Sequence, residues 1–177
     1  MMRSGGMGAA LVWILMLAVM VLGAADGALA SKAFKYNGDD DAEFTKKFIS
    51  FLEKQDMTIH NQGENWLSVK GESFIIALQP KVSADGLDRI IANIFLTVKS
   101  EYKSGSNQKL NDLVWKLNSS LNTAQFALDG DKDLVMLSHI TFVDELTFEE
   151  MKAFIDWFDQ SVLTLMVAAP EALEILE

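Results

Sequence analysis

Two runs of alternating apolar and polar residues, 123–128 and 133–143, flank the dipeptide Asp129-Gly130. Alternation at period two puts one side of a strand in a core and the other toward solvent, and Asp-Gly between such runs is a hairpin turn. Gly130 is the residue expected at positive φ there. A hairpin is antiparallel, so the chain builds an antiparallel sheet with at least one face to cover. Three further runs read as strands: Trp66, Leu67 and Val69 before Gly71; residues 73–78, stopped by Pro80; and residues 90–98. The third also fits helical spacing through Leu87, Ile90, Ile91, Ile94 and Val98. Its β-branched and aromatic content favours a strand with Ile90, Ala92, Ile94, Leu96 and Val98 on one face.

Three helices cover such a sheet. Phe44, Phe48, Ile49, Phe51 and Leu52 form an apolar stripe at period 3.6 behind Asp39-Asp40-Asp41, which suit a helix start. Leu110, Leu113, Val114, Leu117 and Leu121 form a second stripe. The third helix opens at Thr147, with Glu150 in the capping-box position. It carries Met151, Phe154, Ile155, Phe158, Val162, Leu163, Leu165 and Met166 before Pro170 interrupts it. The expected order is α-β-β-β-α-β-β-α, an α+β domain with an antiparallel sheet of about five strands, occupying residues 39–177. Residues 31–38 read as a linker.

Residues 1–30 read as an address. A short start with Arg3, fourteen apolar residues at 9–22 and the small exit Ala28-Leu29-Ala30 have the layout of a secretory signal peptide. The apolar block is shorter than the roughly 20 residues of a spanning helix. Cleavage is expected after Ala30, with Ala25 as second choice, leaving a periplasmic or secreted protein. The alternative is a membrane anchor over residues 9–25.

Composition removes whole classes of chemistry. Among 177 residues there is no cysteine, so disulfides, thiolate nucleophiles and Cys-ligated zinc are out. With 15 Lys and Arg against 25 Asp and Glu, the net charge of −10 opposes general nucleic-acid binding. His60 and His139 lie in strand-like runs without ligand spacing, and read as hydrogen-bonded structural residues. Asp129, Asp131 and Asp133 superficially resemble a calcium loop, but Leu134 and Ile140 stand where that loop needs Gly and Glu. No phosphate-binding, nucleophile-elbow or HExxH motif is present. The reading is therefore non-enzymatic, without a cofactor or metal.

Surplus apolar surface is the informative feature. Val162, Leu163, Leu165, Met166 and Val167 make the last helix apolar nearly all round. These residues either fill the centre of the monomer or contact a protein client or a second copy in a homodimer. A small-molecule or lipid carrier is the alternative, with a pocket between sheet and helices lined by Phe74, Phe95, Phe126 and Phe142.

The stretches 110–118 (LNDLVWKLN), 125–129 with 134–137, and 146–158 (LTFEEMKAFIDWF), together with 44–52, resemble the YbjN family, a bacterial "sensory transduction regulator" domain. The similarity is a layout of apolar positions plus Asn118 and the LTxE helix start. It implies the fold of type III secretion chaperones, often dimeric, and implies no enzyme activity. Many relatives are cytoplasmic, and the leader sets this chain apart from them.

Overall fold

The computed structural model describes residues 33–83, 87–105, 107–120 and 124–177. The expected leader and its cleavage positions Ala25 and Ala30 lie outside these residues, as do Leu121 and Thr123.

Six strands form the main sheet: β2 (Ile59–Gln62), β3 (Leu67–Lys70), β4 (Ile75–Lys81), β5 (Asp88–Leu96), β6 (Gln125–Leu128) and β7 (Leu134–Phe142). Their spatial order is β2-β3-β4-β5-β7-β6, with every neighbouring pair antiparallel. The fold class is α+β, as expected, with one strand more than the five anticipated. The additional strand, β2, reads IHNQ and has only one apolar residue, so alternation does not announce it. Residues 90–98 resolve as a strand: Ile90, Ala92, Ile94 and Leu96 are buried at alternate positions, and Val98 bridges Leu176.

Helix α1 (Asp41–Glu53) starts where the aspartates predict. The Asp40 carboxylate accepts the Ala42 and Glu43 N–H groups at 2.7 and 3.1 Å, satisfying donors that the first turn leaves free. A short helix α2 (Ser100–Lys103) precedes α3 (Gln108–Ser120), which buries Leu110, Leu113 and Leu117. Helix α4 (Phe148–Ala168) opens with the expected capping box, in which Thr147 and Glu150 satisfy each other's backbone N–H. Beyond Pro170 comes α5 (Ala172–Ile175).

The expected linker is corrected. Within residues 31–38, Ala33–Lys35 is a strand, β1, paired with β8 (Glu145–Thr147) as a two-stranded ribbon. Phe34 and Tyr36 are buried, with ring centroids 5.3 and 4.9 Å from Phe44. Three residues are too few for a periodic signal, and the packing partner lies across the fold.

The hairpin between β6 and β7 is present, with Leu128 opposite Leu134. Its turn works differently from the expectation: the left-handed residue is Lys132 at φ 60°, not Gly130. Three residues lie between Asp129 and Asp133, and such loops place their left-handed position last. Asp129 accepts the Asp131 and Asp133 N–H groups, both at 2.9 Å, and Lys132 donates to the carbonyls of Lys103 and Gly105.

Candidate binding surface

Alternation along the strands separates two unequal sheet faces. One carries Leu67, Val69, Ile76, Leu78, Ile90, Ala92, Ile94, Leu134, Met136, Phe126 and Phe142, all buried. The helices lie over it; Phe44 of α1, for example, meets Phe142 edge-on at 6.1 Å. The opposite face runs through Ile75, Ala77, Gln79, Ile91, Asn93, Phe95, Val135, Leu137 and His139, none of them buried. Phe95 is 57% exposed and Ile75 48%. Cross-strand pairing sets Phe95 beside Val135 and Asn93 between Ala77 and Leu137, so the apolar residues are contiguous. Ser68 alone on this side is buried, beside the bulge that joins β2 and β3. Among the described residues, this face has no helix on it.

The sequence-predicted residues divide across these surfaces. Val162 and Leu165 belong to the core, at 1% and 0% exposure. Met166 is half-buried, while Leu163 and Val167 point outward at 59% and 82%. Central burial and outward display therefore each claim part of the segment, because a helix lying on a sheet has only one inner side. The four phenylalanines do not share a pocket. Phe126 and Phe142 face the helices, Phe95 stands on the opposite face, and Phe74 sits half-buried beyond the turn before β4. Adjacent strand residues point to opposite faces, so odd and even positions cannot line one cavity. His60 and His139 are exposed and their rings have no hydrogen-bond partner among the described residues, contrary to the structural role expected of them.

Two polar side chains hold the sheet in place: Asp159, which no sequence pattern singles out, and Asn118, which the family resemblance includes. Asp159, 2% exposed, turns its carboxylate from α4 into the β3–β4 turn. It accepts the Ser73 N–H at 3.0 Å and the Phe74 N–H at 2.8 Å. Those donors lie in the turn closed by the Gly71 N–H to Phe74 carbonyl bond. Asn118 of α3 pairs with the backbone of edge strand β6, donating to the Phe126 carbonyl at 2.8 Å and accepting the Phe126 N–H at 2.9 Å. An amide can do both at once, whereas a carboxylate can only accept.

Two aspartates fasten strand ends. Asp133 accepts from Lys103 at 2.6 Å and from the Val98 N–H at 2.7 Å. The Lys103 hydrogen bond holds its carboxyl below the usual range, against a smaller opposing effect of burial and with help from Val98. At Asp41, burial pushes the carboxyl up, but the Lys81 ammonium at 2.6 Å and the Val82 N–H at 2.9 Å together bring it below its ordinary value. These carboxylates are occupied by the protein itself. Among the described residues, no three His, Asp or Glu side chains gather as a metal site.

A groove of about 470 Å³ runs between α3 and α5, with Trp115 on its wall and the ion pairs Lys109–Glu174 and Lys116–Glu171 across it. No arrangement of nucleophile and base lies along it; its polar groups are already paired.

No family model matches the chain, and no curated protein does. Among solved structures, YbjN from E. coli, described as a proposed transcription regulator, superposes with a TM-score of 0.53. The match covers 75% of this chain and 94% of that one, at 15% identity. The fold is YbjN-like. Residues Ala33–Glu177 form one compact unit, which includes strand β1. Among the described residues, no helix is long and apolar enough to cross a membrane.

Proposed function

We propose that the chain is a non-enzymatic, exported protein-binding module of the YbjN type, working as a homodimer. The observation that carries the binding reading is the sheet with helices over one face and a contiguous apolar patch on the other. Apolar surface of this kind marks interfaces when it is contiguous rather than scattered. The E. coli neighbour is described as a proposed transcription regulator. For this chain, a net charge of −10 supports regulation through protein contact rather than through a grip on DNA.

Dimerisation is assigned to the outward residues of α4, Leu163 and Val167, which leaves the sheet face free. Light scattering of the full chain across micromolar concentrations should give a dimer, and Leu163→Asp with Val167→Asp a monomer. A wild-type monomer throughout removes this part. Export rests on the pattern of residues 1–30. N-terminal sequencing of protein from its host should begin at Ser31, and an intact Met1 start contradicts it. The carrier reading has no observation in its favour once Phe95 is separated from Phe126 and Phe142.

The deciding test is quantitative co-purification on the tagged full chain, wild type against Phe95→Asp, from the native host. Partners held by wild type and lost from a folded Phe95→Asp variant support the reading. Equal recovery from both rejects the sheet face as the binding surface.

A further inference from the structure

The uncovered face has a charge character as well as an apolar one. The six main strands contain a single carboxylate, Asp88. It stands opposite Phe142, in register with the covered face, and accepts the Ser83 N–H at 3.0 Å. No strand position of the open face is therefore acidic, in a chain with 25 Asp and Glu residues. Cations stand at both ends of the patch. Lys70 lies opposite Ile75, and Arg89 opposite Lys81. Lys81 is engaged by Asp41, but Lys70 and Arg89 form no ion pair among the described residues. Strand β4 runs from Ile75 to Lys81, and at about 3.4 Å per residue this sets the two free cations ~20 Å apart.

We propose that this face docks an acidic, amphipathic polypeptide segment of another protein. The segment's apolar side rests on Ile75, Ala77, Ile91, Phe95, Val135 and Leu137, and carboxylates toward its two ends meet Lys70 and Arg89. A helix of about 13 residues spans that distance. The inference deepens the binding reading above and rests on it.

Charge selects this occupant over its rivals. A second copy brought face to face offers Lys70 and Arg89 no carboxylate from the strands of its open face and sets cations against cations, which costs affinity. Residues 1–32 of the chain itself contain one carboxylate, Asp26, too few for both ends. An anionic bilayer is held by clusters of roughly four to eight Lys or Arg, and nucleic acid by several phosphate contacts. Two free cations on a protein of charge −10 supply neither. They do suffice to orient one short acidic segment, where rim charges chiefly set register and association rate.

The test is photo-crosslinking in the native host from the full chain carrying p-benzoylphenylalanine at position 95, with mass spectrometric identification of the crosslinked peptide. The same is done with Lys70→Glu and Arg89→Glu added, and from position 163 as a second site. The expected product is a net-negative peptide of another protein with apolar residues at helical period. The charge reversals should cut its yield about tenfold while circular dichroism shows an unchanged fold. A peptide captured at 95 whose yield ignores the charge reversals overturns the acidic-partner inference and leaves the binding reading standing. A neutral or basic peptide, a peptide of this chain, or a lipid adduct does the same. Failure to capture anything at 95 removes the sheet face as a binding surface, and with it this inference and the binding reading; a peptide of this chain captured at 163 is the α4 dimer contact proposed above.

Discussion

The buried Asp159 carboxylate ties α4 to the β3–β4 turn. It forms no ion pair among the described residues and is balanced by two turn N–H groups. Replacing it with Ala strands both donors, a loss of about 2–3 kcal/mol, measurable by chemical denaturation. Gly71 is its counterpart: a Cβ there would overlap Asp159 Oδ1. Gly71→Ala should destabilise by about 1–3 kcal/mol through that overlap. In an Asp159→Ala background the same substitution should cost clearly less, because the clashing atoms are gone; equal costs in a double-mutant cycle would separate the two residues. Asn118→Asp keeps the acceptor for Phe126 but loses the donor, and sets a carboxylate against a carbonyl. A loss of about 1–2 kcal/mol is expected, with Asn118→Gln failing to restore it because the longer side chain misplaces both bonds.

At the scale of elements, carboxylates fasten α1 to the end of β4, the entry of α2 to β7, and the start of α4 to itself. Asp41, Asp133 and Glu150 are all held below their ordinary values. For Glu150 the cause is the Thr147 N–H, then the Thr147 hydroxyl. A carboxyl with a lowered folded value adds stability that is complete above its unfolded value, about pH 4, and is lost as pH falls through the folded value. Stability should therefore fall in acid below about pH 4, with little change from there to neutrality from these groups. Asp133→Asn should flatten the acid limb; an unaltered limb would show that the Lys103 pairing does not contribute.

Elements with repeated apolar spacing were legible from residues alone. The stripes at Phe44–Phe48–Leu52 and Leu110–Leu113–Leu117 became buried helix faces, and the Thr147–Glu150 spacing became a capping box. Strands β1 and β8 were not legible, because each has three residues and their pairing joins distant parts of the chain. Asp129-Gly130 announces the turn but not its left-handed residue, since loop length rather than the presence of Gly130 sets that position. The near-absence of Asp and Glu from the strand runs was written in the sequence. Its meaning depends on which strand face the helices cover, and that is decided only by tertiary packing. The apolar excess of α4 was visible too, but the division into inward Val162 and Leu165 and outward Leu163 and Val167 needed the neighbours in place.

The unit Ala33–Glu177 is two-sided, with helices packed over one sheet face and an apolar, cation-ended surface on the other. Hydroxyl-radical footprinting of the full chain, alone and with its captured partner, tests this arrangement most directly. In the free protein Phe95 and Ile75 should oxidise about as readily as Leu163, while Phe44 and Phe158 resist, and partner binding should protect Phe95 and Ile75 selectively. Slow oxidation of Phe95 in the free chain, or no protection on binding, would contradict the account.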